Sequence, residues 1–290
     1  MFSYRYMNMM MNGVLNADHS VSEAEIISNY QASPQDMRMN MHMMMMMYGI
    51  TDKLTLMGMM HYNSAWMKMS MKIGSSYHRH SMATEGLGDI KFQLLYALLK
   101  QSHHQLILSI GGSIPFGSVN EKGKPSSMMY PNRRYPYNMQ NGTGTFDLLP
   151  TVSYLGQSHK LYYSFQINAL VRLGHNMAGY RHGNEYSALG WMAYRWSSNV
   201  SSSLRLEGIC IGKMHGADST LNSWLEMSAD AKNYGGKKIN AYVGSVFQPH
   251  NGMFKTSKFC MEYGFPLYQY FNGYQMSNKQ QFLITYNLNF

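Results

Sequence analysis

Gln281-Phe282-Leu283-Ile284-Thr285-Tyr286-Asn287-Leu288-Asn289-Phe290 ends the sequence, and Phe282, Ile284, Tyr286, Leu288 and Phe290 share one parity while mostly polar residues take the other. A period of two is the pattern of a β-strand with an apolar face and a polar face. Ten such residues are about enough to cross a bilayer at a tilt. An aromatic final residue on a strand of this kind is also a signal read by bacterial barrel-insertion machinery, a first expected partner.

The same alternation recurs upstream. Leu161, Tyr163, Phe165, Ile167, Ala169 and Val171 interleave with Tyr162, Ser164, Gln166, Asn168 and Arg172, and Ile90, Phe92, Leu94, Tyr96 and Leu98 alternate with Asp89, Lys91 and Gln93. Carried along the chain, the pattern predicts twelve strands near residues 2–11, 37–48, 54–65, 87–98, 105–116, 146–155, 160–172, 185–196, 200–209, 236–248, 258–269 and 279–290. Short connections (49–53, 99–104, 156–159, 197–199, 249–257) alternate with generally longer ones (12–36, 66–86, 117–145, 173–184, 210–235, 270–278). The expected fold is therefore all-β: one closed antiparallel transmembrane barrel spanning 1–290, with long extracellular loops, short periplasmic turns and both termini on the short-turn side. Closure removes the sheet edges that invite aggregation.

Composition agrees with this class. No run of about eighteen apolar residues is present, which excludes a transmembrane helix. Only 13% of residues are charged, while 23 Tyr and 26 Gly are present, and the mean hydropathy is −0.33. A barrel produces this balance because only every second residue faces lipid. The net charge of +9 suits an anionic lipopolysaccharide leaflet. No basic helix, zinc spacing or basic-aromatic motif accompanies it, so nucleic acid is not an expected partner. The two cysteines, Cys210 and Cys260, follow no CxxC pattern and are expected to be unbonded at opposite ends of the wall. Tyr-rich strand sequence begins at once, with no basic segment and apolar core before it, which reads as a mature or trimmed form.

Thirty methionines, concentrated in the first 82 positions, are the unusual chemistry. If Phe2, Tyr4, Tyr6, Met44, Met46, Tyr48, Leu54 and Leu56 face lipid, then Met7, Met9, Met37, Met39, Met41, Met57, Met59 and His61 face the lumen on three neighbouring strands. This parity sends Arg38, Asn40 and His42 outward. Clustered thioethers beside His61 or His42 suit Cu(I) or Ag(I) as soft ligands. The alternative is that methionine acts as a flexible apolar filler. No other cofactor is implied. The remaining lumen candidates are Arg5, Asp89, Lys91, Asp147, Arg172, Arg195, Arg205, Glu207 and Glu262, read either as a buried ion-pair network or as a substrate path. The loop from Gly117 to Thr145, with its Met128–Tyr137 core, is rich enough in aromatics and proline to be ordered and to fold inward as a constriction. No nucleophile elbow, HExxH or paired acidic motif is present, so an enzyme is not expected.

The segments Met1-Phe2-Ser3-Tyr4-Arg5-Tyr6-Met7, Gly86-Leu87-Gly88-Asp89, Tyr135 to Pro150, Tyr154-Leu155-Gly156-Gln157 and Trp196 to Leu206 resemble, over nearly the whole chain, the outer-membrane transporters grouped with the MetA pathway of phenol degradation. The resemblance implies a Gram-negative outer-membrane barrel without catalytic residues, and its Met-rich branch is associated with copper handling. Met44 to Met47 depart from the family pattern. Three functions follow as expectations: a channel for small solutes or metal ions, a soft-metal binder, and a structural barrel with a blocked lumen that binds other envelope proteins.

Overall fold

The computed structural model describes residues 1–127, 129–249, 251–252 and 254–290. The wall is built from β1 (Phe2–Ala17), β2 (Ala32–Gly49), β3 (Leu54–Ile73), β4 (Ser76–Leu87 continued by Ile90–Lys100), β5 (His104–Ile114), β6 (Phe146–Leu148 continued by Thr151–Ser158), β7 (Leu161–Leu173), β8 (Glu185–Arg195), β9 (Val200–Ile211) and β10 (Gly236–Phe247). The circuit closes through an eleventh element, Ser257–Leu288, which pairs with β10 through its first part and with β1 through its last.

That eleventh element crosses the wall twice. Fully extended, 32 residues would span roughly 105 Å, several times a hydrocarbon layer. The Tyr263 hydroxyl instead donates to Gln280 Oε1 at 3.1 Å, and Ser257 Oγ lies 3.1 Å from the Tyr286 hydroxyl. These contacts are possible only if the segment doubles back near residue 272, giving arms β11 (257–271) and β12 (275–288). A ring of antiparallel neighbours also needs an even number of crossings, and two arms make twelve.

Five of the predicted long loops are partly strand. Residues 66–86, read as a connection, continue β3 and β4 as a paired hairpin (Trp66↔Ala83, Ile73↔Ser76) that extends the wall outward. Residues 270–278 likewise continue the last hairpin. The stretch 12–36 holds the end of β1, a short strand at His19–Val21, helix α1 (Glu23–Asn29) and the start of β2. Ser22 caps α1 by accepting from the Glu25 amide, and Ile26 is its buried residue. Within 210–235 the wall strand ends at Ile211, and His215–Gly216 pairs with Tyr180–Arg181. Hydrophobic alternation fades in these stretches because outside the hydrocarbon band neither face has to be apolar. The predicted turn 249–257 contains His250 and Met253, and the predicted loop core begins at Met128; these three residues lie outside the described residues.

Outward positions form an apolar belt that includes Leu56, Phe92, Leu94, Ile110, Phe165 and Ile167, all exposed. Near the short-turn end Tyr48, Tyr96, Tyr194 and Trp196 make an aromatic girdle. The short turns lie at this end, which is therefore the periplasmic one. Arg38, Asn40 and His42 also point outward. Tyr6 and Asn8 both donate to Asn40 Oδ1 (2.9 and 2.7 Å), and Tyr4 Oη lies 2.8 Å from His42 Nδ1. These bonds offset the cost of polar groups on a lipid-facing surface. Cys210 and Cys260 are both free thiols.

Candidate functional site

The lumen divides into an outer half filled by returning loops and a periplasmic half that is hollow. In the outer half Met37 from β2, Met67 and Met69 from β3 and Met82 from β4 form one buried core with Met129, Tyr130, Tyr135 and Met139 of the loop 115–145 and Met227 of the loop 212–235. The loop predicted to fold inward thus does so, and a second loop joins it.

Two features hold these loops together. The Tyr130 hydroxyl donates to Glu226 Oε1 at 2.6 Å. Glu226 is fully buried, its second carboxyl oxygen has no partner among the described residues, and burial pushes its pKa up to about 7. Arg134 and Asp218 form an ion pair, and the Asp218 amide donates to the Tyr137 hydroxyl. Nearby, His182 packs edge-on to Tyr180, and burial lowers its pKa to about 4.

The neck of the longer loop is anchored to the wall by two acids. Asp89 sits at a one-residue bulge in β4, where the register moves from Tyr62↔Leu87 to Met59↔Lys91. The bulge turns Asp89 inward, where it accepts from the Gly117 amide (3.0 Å), the Thr143 amide (3.0 Å) and the Thr143 hydroxyl (2.6 Å). Asp147 accepts from Ser113 and Thr145 (both 2.8 Å) and pairs with Arg172 at 2.6 Å. Gly117 and Gly142 touch at the neck, where a Cβ on Gly117 would lie 2.6 Å from Gly142 Cα. No larger residue fits there.

The other charges group on the opposite wall. Arg205 meets Glu262 through two bonds (3.1 and 3.0 Å) and stacks 3.6 Å over the Tyr242 ring, whose hydroxyl donates to Glu207 at 2.9 Å. Arg5 Nε donates to Thr285 beside this group. Lys91 lies elsewhere, in a cavity of about 240 Å³ with Met57, Met59 and Glu185. Arg195 stands apart, 5.7 Å over Tyr162.

The metal candidates are likewise divided. Met37 and Met39 belong to the outer core, Met57 and Met59 line the mid-lumen cavity, and Met7, Met9 and Met41 are half-buried on β1 and β2. Asn138 Nδ2 lies 3.7 Å from Met37 Sδ and 3.8 Å from Met67 Sδ, so two thioethers converge on one point. The His61 imidazole packs on Gly88, where any Cβ would collide with Nε2. Among the described residues no three His, Cys, Asp or Glu side chains converge into a metal cluster.

A second cavity, of about 520 Å³, opens at the periplasmic end among Tyr162, Trp191, Arg195, Leu155, Val246 and Lys258. A solved structure with this arrangement of strands is the COG4313 outer membrane channel from Pseudomonas putida F1, which aligns at 14% identity over 98% of this chain and 92% of that chain, with a TM-score of 0.63. The fold is that of an outer-membrane channel. The KdgM porin (9% identity, 99% of each chain, TM-score 0.46) and a Pseudomonas aeruginosa FadL homologue (9% identity, 100% of this chain and 89% of that one, TM-score 0.46) are more distant. No family model and no curated protein matches the chain.

Sequence reasoning missed Glu226, Tyr130 as its donor, and the core methionines Met67, Met69, Met82, Met139 and Met227. A signal for two of them existed: Met67 and Met69 continue the odd parity of Met57 and Met59 along β3. Glu226 had none, because its environment is built by residues remote in sequence.

Proposed function

We propose that this barrel is a channel for small solutes in the outer membrane of a Gram-negative bacterium, and that its methionine wall handles soft metal ions such as Cu(I). The observation that carries the metal reading is the convergence of Met37 and Met67 on Asn138 inside a core with further methionines from wall and loops. Thioethers bind Cu(I) and Ag(I) while leaving harder ions in water. A series of weak sulfur positions from Met37 and Met39 down to Met57 and Met59 would let an ion pass between sites without being trapped. The sequence resemblance to the MetA-pathway transporters and their Met-rich branch supports the same assignment. Lipid and lipopolysaccharide around the belt, and the barrel-insertion machinery, are the partners this reading implies.

The test compares wild type with a variant carrying Met37, Met39, Met57, Met59 and Met67 as leucine, a swap that keeps volume and removes sulfur. Ag(I) retained after gel filtration under reducing conditions should fall several-fold in the variant. Equal retention would assign the methionines to packing alone.

A second reading, a blocked barrel serving as a scaffold for envelope partners, is favoured by the inward-folded loops of the outer half. Single-channel conductance in planar bilayers separates the two. A scaffold carries no current under any condition, and a channel carries current once the loops move.

A further inference from the structure

The cavity at the periplasmic end has a composition unlike the rest of the lumen. Elsewhere two inward arginines are neutralised, Arg172 by Asp147 and Arg205 by Glu262, and Arg5 donates to Thr285 beside the second pair. Arg195 and Lys258 both line the periplasmic cavity, yet among the described residues neither has a carboxylate within ion-pair distance and no carboxylate lines the cavity. His103 and His104 lie at its rim.

Tyr162 and Trp191 stand in its wall among Gln, Ser and Asn side chains, and its floor is cut back. In the β7–β8 register Tyr162 faces Ala193, with Arg195 two residues along β8 on one side and Trp191 two residues along on the other. Arg195 in turn faces Ser201 of β9. Small side chains at Ala193 and Ser201 leave the space that the larger neighbours enclose, and Leu155 and Val246 add apolar surface. A volume of about 520 Å³ is that of a small-molecule site and exceeds what a lone inorganic ion needs.

From this arrangement we infer that the periplasmic half of the lumen is a binding site for a small organic monoanion with a flat apolar body. The guanidinium of Arg195 presents a planar fork that matches a carboxylate, while Tyr162 beneath it restricts its rotation. Lys258 supplies a second positive charge at the same cavity. Trp191 and Tyr162 offer faces on which an unsaturated ring stacks. The inference deepens the channel reading by naming the solute class that dwells at the periplasmic exit.

The experiment uses the full-length barrel refolded in detergent, with benzoate as the probe in isothermal titration. Benzyl alcohol keeps the ring without the charge, and inorganic phosphate keeps charge without the ring. Benzoate should bind at least tenfold more tightly than either. In the double variant Arg195→Gln/Lys258→Gln, benzoate should weaken tenfold or more while benzyl alcohol is unchanged, and Trp191→Ala should weaken both ring compounds. Absence of benzoate binding to wild type, or equal benzoate affinity in wild type and double variant, overturns the proposal. A barrel that binds benzoate but passes no current would keep this inference and reject the channel, and a conducting barrel that ignores benzoate would do the reverse.

Discussion

The two halves of the lumen are lined by inward-facing residues of the same strands, yet the outer half is packed and the periplasmic half is hollow. In the outer half, connections of more than twenty residues return into the barrel and bring Met129, Tyr130, Met139 and Met227 against Met37 and Met67. In the periplasmic half the turns are mostly short, and inward positions carry Ala193 and Ser201 beside Tyr162 and Trp191. Wall parity is common to both. Connection length and side-chain volume make the difference, because only a long loop can supply the apolar partners that a packed core requires.

The comparison can be broken most strongly at the neck of the longer loop. Asp147→Ala leaves Arg172 without its partner and should lower stability by about 3–5 kcal/mol, read as an earlier midpoint in urea unfolding. An unchanged midpoint would mean the outer half is not held from its neck. The packed character of that half is tested at Met67, whose sulfur and chain fill the core. Met67→Ala should cost about 2–5 kcal/mol and Met67→Leu less than about 1.5 kcal/mol. Equal costs would argue that sulfur, rather than volume, is what the site uses.

Glu226 gives the outer half a pH dependence. Its carboxyl titrates near 7 when docked against a usual value of 4.5, so docking favours the protonated form. The contribution is fully present below about pH 4.5 and is lost as pH rises through about 7, a change on the order of 3 kcal/mol. Protease nicking in 117–145 should therefore rise between pH 5 and 8 in wild type, and Glu226→Gln should flatten the profile. A profile that stays steep in the variant would place the titrating group elsewhere. The smallest effect is expected at Arg195, which makes no ion pair with a described residue. Arg195→Gln should move stability by no more than about 0.5 kcal/mol, and a larger loss would show that the periplasmic half is more tightly built than its cavity implies.

Much of the wall was legible in the sequence. Alternation at Leu161–Val171 and at Phe282–Phe290 marked strands because one face met lipid and the other did not. Legibility failed where that contrast ends: the hairpin of 66–86 rises beyond the hydrocarbon, so Tyr77, His78 and Arg79 alternate with nothing that a period of two would reveal. In the candidate site, the charged residues could be named one by one as lumen candidates, but their division into the Asp147–Arg172 pair, the Arg205–Glu262–Tyr242 group and an isolated Arg195 could not be read, because each partner lies on another strand.

What the sequence determined by itself is the barrel and the alternating parity of its strands, since these depend only on local period and on which residues lipid tolerates. The tertiary structure decided which lumen charges are neutralised, that two loops share one buried core, and that Glu226 loses its water there. Those outcomes depend on closure of the ring and return of the loops, which bring together positions as remote as Tyr130 and Glu226, and no local pattern encodes a contact between residues 96 positions apart.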